Sequence, residues 1–159
     1  MKTNKVLIPI DGSELSLQVL PYVMRFLSPE QNELILLQVA EPPSVVRLGV
    51  SADPDMVIYV DQAEALLKKA FRNAMHPHID ELAKAGFQVT TAMRFGDPAD
   101  EIKRFIDEEQ IDLVARTSHG RSGLAQVLLG SVAQALIRRS PAPVLLCRQT
   151  VTRPTTAQD

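Results

Sequence analysis

Ile111-Asp-Leu-Val-Ala-Arg-Thr-Ser-His-Gly-Arg-Ser-Gly-Leu-Ala-Gln-Val-Leu-Leu-Gly-Ser-Val-Ala-Gln-Ala-Leu-Ile-Arg-Arg139 changes character along its length. Residues 111–115 form a short apolar run, the pattern of a strand buried on both faces. Residues 117–123 are polar and carry Gly120 and Gly123, which is loop chemistry. At Gly130-Ser131 the pattern turns helical. Ser131 is a residue type that caps helices, and Val132, Ala133, Leu136 and Ile137 fall on one face. Arg138 and Arg139 suit the negative end of that helix's dipole. Strand, small-residue loop and helix start in succession make an anion site. Glycines let the backbone approach a ligand, and the first N–H groups of a helix have no partner within it. The stretch therefore points to a phosphate-bearing ligand.

The rest of the chain repeats the alternation of strand and helix. Residues 5–10 are apolar, and Pro9, which cannot donate a ladder bond, belongs at the C-terminal end of that strand. Asp11-Gly12-Ser13 is a turn, with Ser13 a helix N-cap. One helix then carries Leu17, Leu20, Val23, Met24 and Leu27, and Ser28-Pro29 ends it. Residues 33–40 are a second apolar strand, closed by Glu41-Pro42-Pro43. Residues 44–59 have no periodicity and read as a long loop. A long helix follows over about 61–85, with Ala63, Leu66, Leu67, Ala70, Phe71, Ala74, Ile79, Leu82 and Ala83 as its apolar face. Pro77 predicts a kink or break within 75–78, and Gly86 a stop.

Residues 87–94 predict a third strand, and Asp97-Pro98 the cap and first position of a helix over 99–109 that turns Ile102, Phe105 and Ile106 inward. Pro141 and Pro143 bracket a turn before a fifth strand at 144–147. The pattern is that of a single α/β domain over 1–150, a three-layer, Rossmann-like sandwich with helices on both faces of a parallel sheet. Residues 151–159 predict a frayed tail. Ligands of such sheets bind outside the carboxyl ends of the strands, where strand order reverses. Here that means 9–11, 39–41 and 116–120.

Composition narrows the classes of function. The 159 residues are 45% hydrophobic and 23% charged, with no Trp, as befits a globular core of Leu, Ile, Val and Ala. A net charge of −2 and a pI near 5.9 argue against bulk attraction to nucleic acid or an anionic membrane. No run approaches the roughly 18 apolar residues of a membrane span. The start of the chain does not read as a secretory signal, because Pro9 and Asp11 break its apolar run. The single cysteine, Cys147, lies in the apolar run 144–148 and reads as a buried strand thiol in a reducing, cytoplasmic protein.

Several polar residues have both a structural and a functional reading. Asp11 is an Asx-turn residue or a ligand or magnesium-shell carboxylate. His119 has no second metal-type residue at suitable spacing and reads as a hydrogen-bonded loop histidine. Arg121 and Ser122 either touch phosphate or are solvated. The acidic run at 107–109 reads as a solvated face. There is no Walker lysine, zinc spacing or Ser-His-Asp arrangement.

The chain resembles the universal stress protein family over nearly its whole length. The resemblance rests on Val6-Leu-Ile-Pro-Ile-Asp-Gly-Ser13, Leu36-Leu-Gln-Val39, Gly96-Asp-Pro98, Asp112-Leu-Val with His119-Gly-Arg-Ser-Gly-Leu124, Leu129-Gly-Ser-Val-Ala133 and Ala142-Pro-Val-Leu-Leu146. It implies a five-stranded parallel sheet of order 3-2-1-4-5 and a homodimer formed through the last strand. It also implies binding of ATP or a related adenine nucleotide, with Mg2+ as an accompanying ion. The ATP-binding branch carries Gly, two residues, Gly, nine residues, then Gly with Ser or Thr. Gly120 and Gly130-Ser131 match that motif, whereas Thr117 stands at the first glycine. Arg116 stands where the family is commonly apolar, and would either pair with phosphate or fill the nucleotide space. By the resemblance, Pro9, Ile10 and Asp11 line the ribose and phosphate side and Val39 reads the adenine edge. Arg116, Thr117, Gly120, Arg121, Gly130, Ser131 and Val132 surround the phosphates. The implied role is a stress-response regulator or sensor. The alternatives are a dimeric interaction regulator that takes no nucleotide and a slow ATPase.

Overall fold

The apolar strands do assemble into one parallel sheet, in the order β3-β2-β1-β4-β5. A computed structural model describes residues 3–43, 56–118 and 130–148. The strands are β1 (Asn4–Ile10), β2 (Asn32–Ala40), β3 (Gln88–Phe95), β4 (Leu113–Thr117) and β5 (Val144–Cys147). The helices are α1 (Glu14–Leu17), α2 (Leu20–Phe26), α3 (Met56–Lys84), α4 (Pro98–Glu109) and α5 (Ser131–Arg139). Every strand pairing is parallel.

Alternation along the strands sends successive side chains to opposite faces. Val6, Ile8, Ile10, Leu34, Leu36, Ala115 and Cys147 pack with Val19, Val23, Phe71, Met75 and Leu82 of the α2 and α3 side. Leu7, Ile35, Leu37 and Val114 pack with Ile102, Phe105 and Ile106 of α4 and Leu136 of α5. Two cores, one on each face, explain why β1 is apolar at nearly every position. Each fully buried Leu or Ile contributes about 1.5–3 kcal/mol.

Local chemistry sets the element ends. Ser13 caps α1, accepting from the Ser16 N–H, and the Asp97 carboxylate caps α4, accepting from the N–H groups of Ala99 and Asp100 at 3.0 and 3.1 Å. Pro98 takes the first position of α4. Gly86 ends α3 at φ +96°, with Phe87 N–H donating to the Leu82 carbonyl and Gly86 N–H to that of Ala83.

Four expectations are corrected. The first helix is two: Pro21 lies in the first turn of α2 and has no N–H to give the Leu17 carbonyl, so α1 cannot run on. The α3 helix starts at Met56, five residues before the expected 61, and passes Pro77 without a break. Of the expected 44–59 loop, 56–59 belong to α3, and 44–55 lie outside the described residues, as does the tail expected at 151–159. Much of the expected apolar face of α3 is exposed: Leu66 is 68% exposed, and Ala70, Ala74 and Ala83 face solvent too. Finally, β4 runs to Thr117, so Arg116 and Thr117 belong to the strand and not to the loop after it.

Candidate functional site

The strand order reverses between β1 and β4: β2 and β3 lie to one side, β5 to the other. At the amino end these two strands are clasped by Lys5 N–H on Asp112 Oδ2 at 2.9 Å and Asp112 N–H on the Lys5 carbonyl at 3.0 Å. Backbone alternation then directs position 9 toward β4 as well, and Pro9 has no N–H to give. The β1–β4 register ends at Leu7–Val114, two residues short of Pro9. The two strands part at their carboxyl ends, where a ligand of this architecture sits.

Pro9 and Ile10 are buried and fix the end of β1. Beyond them Gly12 adopts φ +80°, which lets the Asp11 carboxylate fold back over the turn. Asp11 Oδ1 accepts from Ser13 N–H at 3.0 Å and from Ser13 Oγ at 2.5 Å. Buried Ser16 supports the turn, its Oγ donating to the Ser13 carbonyl at 2.7 Å and accepting from Asp11 N–H at 3.4 Å. Asp11 thus has the Asx-turn role, and its carboxylate is held at the crevice.

On β4, Arg116 is only 7% exposed and Thr117 1%. Alternation puts Arg116 on the α4–α5 face of the sheet and Thr117 on the opposite face. Arg116 Nε donates to the Thr117 carbonyl at 3.2 Å. Its terminal nitrogens Nη1 and Nη2 make no hydrogen bond among the described residues. Burial lowers the Arg116 pKa from its ordinary value, and the nearby Asp11 carboxylate opposes that shift. The guanidinium nonetheless stays charged.

The α5 helix reaches the same place by a short clasp. Ser118 N–H donates to the Cys147 carbonyl at 2.9 Å, and Gly130 N–H to the Ser118 carbonyl at 3.1 Å. The N-cap of α5 is Gly130, not the expected Ser131, which is the exposed first residue of the helix. No side chain caps this end, so the N–H groups of Ser131, Val132 and Ala133 have no partner within the helix. Val39 is half-buried on β2, one residue past the Ile10–Gln38 pair and level with the turn. Gly120 and Arg121, with His119, Ser122 and Gly123, lie outside the described residues.

The sequence-expected residues Pro9, Ile10, Asp11, Val39, Arg116, Thr117, Gly130, Ser131 and Val132 are therefore all at the carboxyl end of the sheet. The supporting roles of two residues, Ser16 and Ser118, escaped the sequence reading. Ser16 sits three positions after Ser13, a spacing with no special signature. Ser118 looked like one more loop residue. A buried cation whose terminal donors make no hydrogen bond among the described residues, beside a helix start, fits a negatively charged group. The same residues offer little to a metal ion, and no group of three or more His, Cys, Asp or Glu is placed to hold one among the described residues. Two cavities lie elsewhere. One of about 60 Å³ separates α4 from α5, and one of about 370 Å³ opens at the amino ends of the strands beside Asn32 and Gly86.

The family model described as "Universal stress protein family" matches residues 2–148. The chain belongs to the universal stress protein family. Among its relatives are universal stress protein MJ0577 of Methanocaldococcus jannaschii, 29% identical over 154 residues (92% of this chain, 95% of the relative). Another is universal stress protein YxiE of Bacillus subtilis, 30% identical over 148 residues (91% and 99%). The solved structure of MJ0577 superposes with a TM-score of 0.74 at 28% identity, over 94% of this chain and 99% of that one. Two more distant members share the fold. A universal stress protein in complex with cAMP matches at TM-score 0.61 and 20% identity, over 94% of this chain and all of that one. An Arabidopsis thaliana family protein with AMP bound matches at 0.58 and 18%, over 98% and 99%. No described helix is long and apolar enough to cross a membrane.

Proposed function

We propose that this universal stress protein binds an adenine nucleotide, ATP foremost, in the crevice where β1 and β4 part. The observation that carries the reading is the convergence of three groups there. These are the Asp11 turn, the buried Arg116, whose Nη donors make no hydrogen bond among the described residues, and the uncapped start of α5 held by the Gly130–Ser118 clasp. The phosphates lie against α5 and Arg116, and the base lies toward Val39 on β2. Family members solved with cAMP and with AMP support the choice of an adenine nucleotide.

The protein then acts as a stress-response sensor or regulator whose output is conformational. We place it in the cytoplasm, as a homodimer paired through β5. That strand is the open edge of the sheet beyond β4, and a second copy would occupy its free backbone groups.

A second reading has one observation in its favour. Arg116 is buried beside Asp11, and the pair would close the crevice of an interaction regulator that takes no nucleotide. Calorimetric titration with ATP, ADP, AMP and cAMP separates the two. Saturable binding supports the nucleotide reading, and no binding at millimolar ligand leaves the second.

A further inference from the structure

The geometry points to a nucleotide site in which Arg116 takes the place of a divalent cation, so that ATP binds without Mg2+; this rests on the nucleotide reading above. Mg2+ asks for near-octahedral oxygen ligands, commonly one or two carboxylates together with phosphate oxygens. The crevice presents Asp11, and Asp11 Oδ1 already accepts two hydrogen bonds from Ser13. The guanidinium of Arg116, on the neighbouring strand, lies within electrostatic reach of Asp11. Arginine does not shed its proton in proteins. A dication brought against Asp11 would therefore meet a fixed like charge on a guanidinium that is only 7% exposed.

The same guanidinium has what a phosphate needs. Its position on β4 is fixed by pairing of the strand to β5 and by its own Nε hydrogen bond to the Thr117 carbonyl at 3.2 Å. That leaves the two terminal nitrogens as a planar fork, the geometry that grips phosphate oxygens in pairs. The side chain is more than nine-tenths buried. Its ordering has been settled by folding and does not have to be settled again by the ligand. Asp11 then balances Arg116 while the site is empty of phosphate and orients it when phosphate arrives.

The test is calorimetric titration of the full chain with ATP, in EDTA and in millimolar MgCl2, for the wild type and Arg116→Met. Thermal melts check that the variant folds. The wild type is expected to bind ATP in EDTA at least as tightly as in Mg2+. Arg116→Met, which keeps length and burial but drops the charge, is expected to lose about tenfold or more in EDTA and to regain part of it with Mg2+. If that variant fails to fold, Arg116→Lys serves, with a smaller loss expected because the charge stays and the fork is gone. Wild-type binding that tightens about tenfold or more with Mg2+ would overturn the inference and leave the nucleotide reading standing. So would a variant that binds like the wild type in EDTA. No saturable binding of any nucleotide would overturn both.

Discussion

A guanidinium that has lost nearly all contact with water still keeps its charge, and at Arg116 the nearby Asp11 carboxylate offsets part of what that burial costs. Arg116 is the clearest case of a residue whose sequence reading had to be completed by the fold. The sequence placed Arg116 at the loop entrance; β4 ends two residues later than expected, at Thr117, and carries it into the sheet. Cys147 was legible, because an apolar run with one thiol is a buried strand, and it is 6% exposed. Burial raises its pKa above the ordinary thiol value. The folded state therefore keeps a proton that the unfolded chain releases. Stability from this source is complete below the unfolded thiol's pKa and is lost as pH rises through the raised folded value. Urea unfolding from neutral to alkaline pH should show a decline that is shallower in Cys147→Ala. An equally steep decline in that variant would assign the pH dependence to other groups.

Elements follow from local chemistry where one residue dictates the backbone, and depart from it where packing decides. Gly86 is of the first kind. Its φ of +96° is costly for any other residue, and a Cβ there would lie 3.3 Å from Pro29 Cγ. Gly86→Ala should cost about 1–2 kcal/mol, lowering the melting temperature by several degrees; an unchanged melting curve would contradict the strained-turn assignment. Gly130 behaves differently. At φ −57° and ψ 150° it occupies backbone space open to all residues, so its lack of a side chain serves whatever lies against α5. Gly130→Val should change stability by no more than about 1 kcal/mol and abolish nucleotide binding. The α3 helix is of the second kind. Its apolar positions suggested one buried face, yet among its described side chains only Phe71, Met75 and Leu82 are buried in the core. Periodicity says which residues share a face, and not how far along the helix the sheet extends beneath it. Pro77 does not break the helix, for a related reason. It removes one hydrogen bond, and the rest of a long helix packed on the core carries the chain through.

For the whole molecule, the parallel sheet and its two cores were legible from the apolar strands, whose lack of alternation already required cover on both faces. The strand order came from the family resemblance, since periodicity does not specify which strands are neighbours. Half of the site was equally plain, because turn residues and helix starts at strand ends follow from spacing alone. The supporting serines and the parting of β1 from β4 at Pro9 were not, since both depend on register across the sheet. The open edge of β5 carries the remaining expectation. Pro143 and Cys147 give their carbonyls to β4, so alternation turns the N–H of Leu146 outward. Leu146→Pro should therefore leave the domain folded and convert a dimer to a monomer in sedimentation equilibrium. A variant that still dimerises would move the interface elsewhere.

The nucleotide site is tested most directly by one calorimetric titration with ATP, run in parallel on the wild type and Gly130→Val. Saturable binding to the wild type, absent in a Gly130→Val protein that melts normally, is the result predicted. Equal affinity in the two proteins, or no binding by the wild type at millimolar ATP, would contradict a phosphate site between β4 and α5.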